Sequence, residues 1–470
     1  MRRPLSPLLA LLLASGCAMG PNYKRPAVSV PDGFRGQSVA EAASFADQPW
    51  WEIFGDETLK SLIAEGLEHN YDVRTAVWRV EEYRARAGVE RSDWLPQITP
   101  SAMWERGRQS SFTPAGGQTG AIWDVHASLS WELDLWGRIR RLNEAARAQY
   151  LGAREHRRGV YLATVAQVAQ AYFELRELDA RLEIAKATTA AFQETATLFN
   201  RRLAGGTASA LETARAEAAL ASASAYIPNL ERQIQAQENL LTFLVGRNPG
   251  PVSRGLDLGA QALPPHLPAG LPSSLLERRP DLMVAEQELV AANAAVGVTV
   301  AGYFPTLSLT SLLGGVAPHV GELFGSGKEW LVAPGLSGPS LQGLRLKHQK
   351  DARVAQWEQA KAHYEAVVTG AFGEVSTALS AYEKLADVEA RQARAVAAYQ
   401  EAVRLATLRY GAGLSSYVEV LDAQQQLFPA QNTLSQVRLS RLLSLVQVYK
   451  AMGGGWKLED PRRMAAAAPK

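Results

Sequence analysis

Few residues in this chain of 470 have types and spacings suited to covalent chemistry, and the informative exceptions are carboxylates. Glu419 and Asp422 stand three apart, just beyond the Gly-containing turn Gly411-Ala412-Gly413-Leu414, so they share one helix face, with Val418 beside them. Glu212 holds the matching place after an earlier turn, Ala204-Gly205-Gly206-Thr207. On a solvated helix such groups do nothing in particular; gathered round a narrow opening, they favour cations and impede anions. The seven histidines are scattered and no two are four apart, so a helical metal site is not indicated. The six methionines form no cluster that would point to copper export. A single cysteine excludes a disulfide framework and any Cys-based zinc site. No Gly-rich phosphate loop is present and no serine sits in a nucleophile elbow. These features argue against an enzyme, and no cofactor is expected beyond a covalent lipid on Cys17.

Cys17 has a specific context. Arg2 and Arg3 form a charged start, Leu8 to Leu13 is apolar, and Ala14-Ser15-Gly16-Cys17 ends in small residues. That is a signal-peptide pattern, residues 1–16, and its end resembles a bacterial lipobox with Cys17 as the lipidated, mature N-terminus. Ala18 after the cysteine favours sorting to the outer membrane, by resemblance to other lipoproteins. Nothing downstream supplies the roughly twenty apolar residues of a membrane-spanning helix. The net charge of +2 and the lack of a basic, aromatic-interleaved run argue against nucleic-acid binding.

The elements that position these residues follow three periodicities. Residues 17–55 are rich in Pro, Gly and Ser and read as an extended segment. From Asp56 to Trp94 apolar residues recur at helical spacing, with a break near Glu68-His69-Asn70-Tyr71 and a stop at Pro96. The period then becomes two: Trp123, Val125, Ala127, Leu129, Trp131, Leu133 and Leu135 alternate with Asp124, His126, Ser128, Ser130, Glu132 and Asp134. This predicts a β-hairpin over about 97–135, with apolar positions facing lipid and polar ones, His126 among them, facing a lumen. Long runs almost without Gly or Pro follow Arg138 and Arg345; at about 66 residues each would reach about 100 Å and pack as a coiled coil. Shorter helices return to Gly246 and Gly453, and Pro228 and Pro429 should each kink one of them or mark a change in its curvature.

The whole layout occurs twice. Arg138 to Gly246 lies over Arg345 to Gly453 at a constant offset of 207, matching Arg202 to Arg409, Ser209 to Ser416 and Glu212 to Glu419. Upstream the offset is 209, with Trp94-Leu95-Pro96 echoed as Tyr303-Phe304-Pro305. The organisation read from this is a first repeat over 56–250, a linker over 251–270, a second repeat over 271–456 and a tail over 457–470. Each repeat holds helices, a β-hairpin (about 97–135 and 305–340) and a long helical hairpin (about 138–246 and 345–452). Four strands per chain cannot close a barrel, and an open edge in lipid leaves backbone groups unpaired. The chain must therefore share its barrel with further copies: two would supply eight strands and three would supply twelve.

Particular motifs make the resemblance specific: CAMGPNYKRP from Cys17, WWEIFGDETL from Trp50, LDLWGR from Leu133, RRPD from Arg278, RYGAGLSSYVEVLDAQQQL from Arg409 and LLSLVQVYKAMGGGW from Leu442. With these the chain resembles the TolC-type outer membrane efflux family, in its lipoprotein branch. The resemblance implies an α+β membrane protein: a trimeric twelve-stranded β-barrel continued by a long α-helical barrel through the periplasm. It implies a passive exit duct for drugs or other small toxic solutes. Its partners would be a homotrimer's other copies, outer membrane lipid, a periplasmic adaptor (membrane fusion protein) and an inner-membrane resistance-nodulation-division pump. Glu419 and Asp422 fall on the family's acidic aperture positions and Tyr410 on its gate tyrosine, with Val418 and Glu212 alongside. Some relatives carry an arginine where Ser415 stands, so the latch here must be built differently. Rival readings are a duct of the same architecture for protein, peptide or metal export, a poreless coiled-coil scaffold lipoprotein, and, more distantly, an envelope hydrolase.

Overall fold

The structure, a computed structural model, describes residues 18–35, 44–108, 110–112, 116–117, 119–264, 267–338 and 343–455. The expected signal peptide, Cys17 and the tail from 457 lie outside the described residues. The helices are α1 (Glu57–His69), α2 (Tyr71–Ser92), α3 (Arg138–Ala204), α4 (Ala210–Ser224), α5 (Tyr226–Leu244), α6 (Pro280–Ala301), α7 (Arg345–Gly411) and α8 (Tyr417–Ala451), with a few short helical turns besides. The strands are β1 (Gln97–Arg108), β2 (Thr119–Leu133), β3 (Thr306–Ala317) and β4 (Lys328–Ser337). Two compact units emerge: one from the described residues of Met1–Ala27, Trp78–Arg154 and Val284–Ala366, the other from those of Val28–Val77, Glu155–Met283 and Val367–Lys470.

The first unit holds one antiparallel sheet in the order β1-β2-β3-β4. Its register places Trp104 opposite Trp123, Leu129 opposite Ser311 and Leu313 opposite Trp330. Paired residues share a face, so Ile98, Ala102 and Trp104 join the odd positions of β2 and Leu307, Leu309, Leu313, Trp330, Val332 and Leu336 in one continuous apolar surface. Trp104 and Trp123 meet with ring centroids 6.1 Å apart, and the indole of Trp131 donates to the Trp94 carbonyl at 3.1 Å. Both prolines of the sheet, Pro100 and Pro334, lie on its two edge strands, where a missing N–H is tolerated.

The turn from β2 into α3 explains the Leu-Asp-Leu-Trp-Gly-Arg motif. Asp134 accepts from the backbone N–H groups of Ile139 and Arg140, both at 3.0 Å, and so fills donors that the helix start leaves open. Glu132 takes a two-pronged bond from Arg138, and Trp136 stacks on Phe304 at 4.7 Å while donating to the Pro305 carbonyl. Gly137 adopts φ +80°, and a Cβ there would strike Ala18, so both conformation and crowding require glycine. Ala18 belongs to an extended strap seated on this unit: buried Arg141 donates to the carbonyls of Met19 and Gly20 and to Asn22, and Asn293 donates to the Pro21 carbonyl.

The second unit is helical. Asn70 closes α1 and opens α2, accepting from the N–H groups of Asp72 and Val73 while its amide donates to the Leu244 carbonyl. That is the break expected near residues 68–71. Asp56 caps α1 through Thr58 and Leu59, and also receives the Tyr172 hydroxyl at 2.7 Å, the Leu256 N–H at 2.8 Å and the Gln261 amide at 3.0 Å. One carboxylate thus ties α1, α3 and the inter-repeat linker. The Arg-Arg-Pro-Asp motif acts similarly: Pro280 begins α6, and Arg279 pairs with Asp281 and Glu374 while donating to Ala451 at the end of α8.

Two sequence expectations are revised. The helix before the first hairpin ends at Ser92 rather than at Pro96, the intervening residues forming a turn. The first return helix is not kinked but divided, stopping at Ser224, four residues before Pro228, whose ring would collide with that carbonyl. Pro429, by contrast, lies inside a continuous α8. The second hairpin, expected over about 305–340, has its strands at Thr306–Ala317 and Lys328–Ser337.

Burial pushes the Asp56 carboxyl upward, but its bonds from Gln261, Tyr172, Leu256 and Leu59 outweigh this and hold its pKa below the ordinary carboxylate value. Its contribution to stability is therefore complete above the unfolded value of about 3.9 and disappears as pH falls through the folded one. Asp56→Ala should cost about 3 kcal/mol or more at neutral pH, because it strands several buried donors. Thermal melts in detergent should show the wild-type and variant midpoints converging below about pH 4; a gap that persists there assigns the loss to packing.

Candidate functional site

The first part of the site is the polar face of the sheet. Here Ser101, Asp124, His126, Ser128, Ser130 and Glu132 lie opposite the apolar surface. His126 bridges two of them, with Nε2 2.9 Å from Ser101 Oγ and Nδ1 2.7 Å from Asp124 Oδ1. Gly314 stands across from His126, and a Cβ at that position would run into the His126 backbone and side chain. The Ser–His–Asp order is that of a nucleophilic triad. Yet these three lie along an open strand pair, after a proline without an N–H, and not at a turn that aims backbone donors at an oxyanion. The network satisfies polar groups on a wet face.

The second part is the pair of helix-hairpin tips. α3 and α7, each of 67 residues, end alike. Gly206 (φ +69°) donates to Leu203 and Thr207 to Arg202; Gly413 (φ +72°) donates to Tyr410 and Leu414 to Arg409. These are Schellman turns at equivalent repeat positions, and the left-handed residue in each is the glycine that the turn requires. Behind them Phe199, Ala216, Ala406, Tyr417, Val420 and Leu421 are buried together. Tyr417 meets Phe199 at 4.7 Å and donates to Thr195, holding α8 against α3.

Each residue singled out from the sequence can be located. Tyr410 sits beside this cluster, edge-on to Tyr417 at 5.4 Å, with the Arg202 guanidinium 5.4 Å from its ring centroid and bonded to its hydroxyl. Val418, Glu419 and Asp422 are exposed on the first turns of α8. Glu212 is engaged locally: Ser209 caps α4 by accepting from the Glu212 N–H, and Glu212 accepts from the Ser209 N–H and hydroxyl. Those bonds hold its carboxyl below the usual range. In the second copy the equivalent Ser416 makes no side-chain cap, and Glu419 turns instead to Arg409, 3.6 Å away. An exposed pair of that length is worth under about 1 kcal/mol.

Arg202 and Arg409 are the residues that sequence reasoning missed as site members. The signal was present, since the two are duplicated at the same offset just before each turn. Arg409 immediately precedes Tyr410, and Arg202 holds the same place in the first copy. Among the described residues no three His, Cys, Asp or Glu side chains group as a metal site, and no helix is long and apolar enough to cross a membrane.

The sheet thus has one continuous apolar face, and each repeat carries a helix of 67 residues. The chain belongs to the outer membrane efflux protein family, whose model matches residues 62–247 and 271–454. It is 35% identical to the toluene efflux pump outer membrane protein TtgC of Pseudomonas putida, over 96% of this chain and 95% of that one. It is 32% identical to the cation efflux system protein CusC of Escherichia coli, over 96% and 99%. The open-state structure of the Neisseria gonorrhoeae MtrE outer membrane channel aligns with a TM-score of 0.84 at 32% identity, covering 94% of this chain and 99% of that one. The protein is an efflux channel of the outer membrane.

Proposed function

We propose that three copies join their sheets into a twelve-stranded barrel and their helices into a periplasmic tube, forming the passive exit duct of a tripartite efflux system. The observation that carries this reading is the four-stranded sheet with one continuous apolar face and two unpaired edges. Eight strands from two copies would enclose a space that side chains fill; twelve leave a wet lumen, as a duct requires. The polar face would line that lumen and the tryptophans would meet lipid. An adaptor and an inner-membrane resistance-nodulation-division pump would supply cargo from the periplasmic side. The cargo class we favour is small drug-like or solvent-like molecules, following TtgC, whose name records toluene.

In this reading the hairpin tips are the gate. Copies of Glu419 and Asp422 form acidic rings, Val418 an apolar constriction, and Tyr410 a brace held by Arg202. The Arg409–Glu419 pair takes the place of a latch built on residue 415, and Glu212 stabilises the first tip. Cys17 carries the lipid anchor.

Three measurements test these assignments. Leu129→Arg should lose about 2–4 kcal/mol of insertion energy and its outer-membrane trimer, while Ser128→Arg on the other face is tolerated; equal tolerance of both removes the barrel assignment. Replacing Glu419 and Asp422 together with Ala should lower cation preference in planar-bilayer recordings, with Glu212→Ala leaving selectivity unchanged; unaltered selectivity in an assembled double variant puts the constriction elsewhere. Cys17→Ser should abolish incorporation of a palmitate analogue, and label retained by that variant ends the lipoprotein claim.

A further inference from the structure

Toward the loop end of the sheet, away from its joins to the helices, the apolar face changes composition. On both edge strands a tryptophan is followed, two residues further out on the same face, by a cation. Trp104 leads to Arg106 on β1, and Trp330 leads to Lys328 on β4. Arg108 extends the β1 row by one more step. On β2 and β3 the outer positions of this face are Thr119, Ala121, Gly315 and Ala317, none larger than threonine. Arg106, Arg108 and Lys328 are all exposed, and none has a carboxylate partner among the described residues. Arg108 Nε donates to the Gly117 carbonyl at 3.2 Å, which leaves the rest of its fork open.

The strand carboxylates nearest that end lie on the other face. Glu105 pairs with Ile122, Asp124 with Met103 and Glu329 with Gly314, all in the polar register. The connection beside Arg108, residues 109–118, contains no Asp or Glu, and the connection over 318–327 contains one, Glu322. The sheet thus separates charge across its thickness, with cations on the apolar face and anions on the polar one. An anion that answers the outward cations has to come from outside the chain. Tryptophan rings settle at headgroup level in a bilayer, and one pleat step of about 7 Å carries each cation just beyond them. That is the depth of lipid phosphates.

We propose that Arg106, Arg108 and Lys328 bind the phosphate groups of an anionic lipid in the leaflet around the loop end of the sheet. The proposal rests on the barrel described above, whose apolar face meets lipid and whose edge strands adjoin between copies. Lys328 of one copy then joins Arg106 and Arg108 of the next. The two guanidinium forks match pairs of phosphate oxygens, and the ammonium adds a point charge. Trp104 and Trp330, 55% and 72% exposed, give the acyl chains below that headgroup an apolar wall. Free phosphate would meet the same cations but gain nothing from the tryptophans, so the ligand is the lipid.

Native mass spectrometry of the full-length channel in detergent tests the site, with lipid A (a diphosphorylated glycolipid) and its dephosphorylated form as probes. Lipid A should bind and the dephosphorylated form should not. Replacing Arg106, Arg108 and Lys328 together with Gln should weaken lipid A binding about a hundredfold, each cation near an anionic surface contributing about fivefold. Arg106→Lys with Arg108→Lys keeps the charge but loses the forks, and should fall between. Glu105→Gln with Glu329→Gln, on the other face, should bind no less tightly than wild type. Equal binding of both lipid forms by the unaltered chain, or undiminished affinity in an assembled triple variant, overturns the site. Displacement of lipid A by excess inorganic phosphate overturns the choice of lipid as ligand. Quenching of tryptophan fluorescence by lipids with brominated acyl chains tests the barrel separately. Wild type should be quenched more than Trp104→Phe with Trp330→Phe. That result without phosphate-dependent binding removes the site and leaves the barrel standing; equal quenching removes the orientation on which the site rests.

Discussion

The constraint on which this molecule depends is that an open sheet cannot be left open in lipid. Each unpaired N–H or C=O in the hydrocarbon costs several kcal/mol, and β1 and β4 both present a row of them. No rearrangement within one chain cures this, because four strands are too few to curl shut. The cure is another copy, so assembly is built into the fold as a backbone requirement. The placement of Pro100 and Pro334 on those two edges fits the same logic, since each removes a donor where a lone chain could pair wrongly.

Duplication makes the requirement economical, and divergence between the copies shows where each has a separate task. The hairpins keep the same register and the two long helices keep the same length and the same Schellman ending. The return helices differ. Pro228 divides the first, whereas the second passes through Pro429 unbroken. At the tips, Ser209 and Glu212 close a capping box on each other, while Ser416 and Glu419 do not. The second-copy carboxylate, Glu419, turns to Arg409 instead.

Much of this was legible in the sequence because the signals are long and redundant. Alternation over β2 needed no tertiary context, and the helices after Arg138 and Arg345 announced themselves by the absence of Gly and Pro. The Gly turns were equally readable, since left-handed positions select glycine. What escaped was anything decided by a partner distant in the chain. Asp56 marked only the start of a helical stretch, whereas its bonds to Tyr172, Leu256 and Gln261 join residues more than a hundred positions away. Arg202 stood out only as the match of Arg409 between the copies, because its partner, Tyr410, lies in the other repeat. The fate of each proline was likewise unreadable: one local chemistry gave a break in one context and a continuous helix in the other.

The interactions that hold the helices are graded in strength. Asp56 and Arg279 are buried and each is bonded to several elements, so moving those elements strands charged groups. At the tips the Arg409–Glu419 pair is long and exposed, and Val418 and Leu414 are exposed too. Local opening follows the distribution of stability, and elements that move are drawn from its weak end. Undoing that exposed pair would cost at most about 1 kcal/mol, while the cluster of Phe199, Tyr417, Val420 and Leu421 behind it stays buried. A displacement near Asp56 would break a buried network. The weakest ties therefore lie at the exposed face of the tips and the strongest at the joint between the repeats.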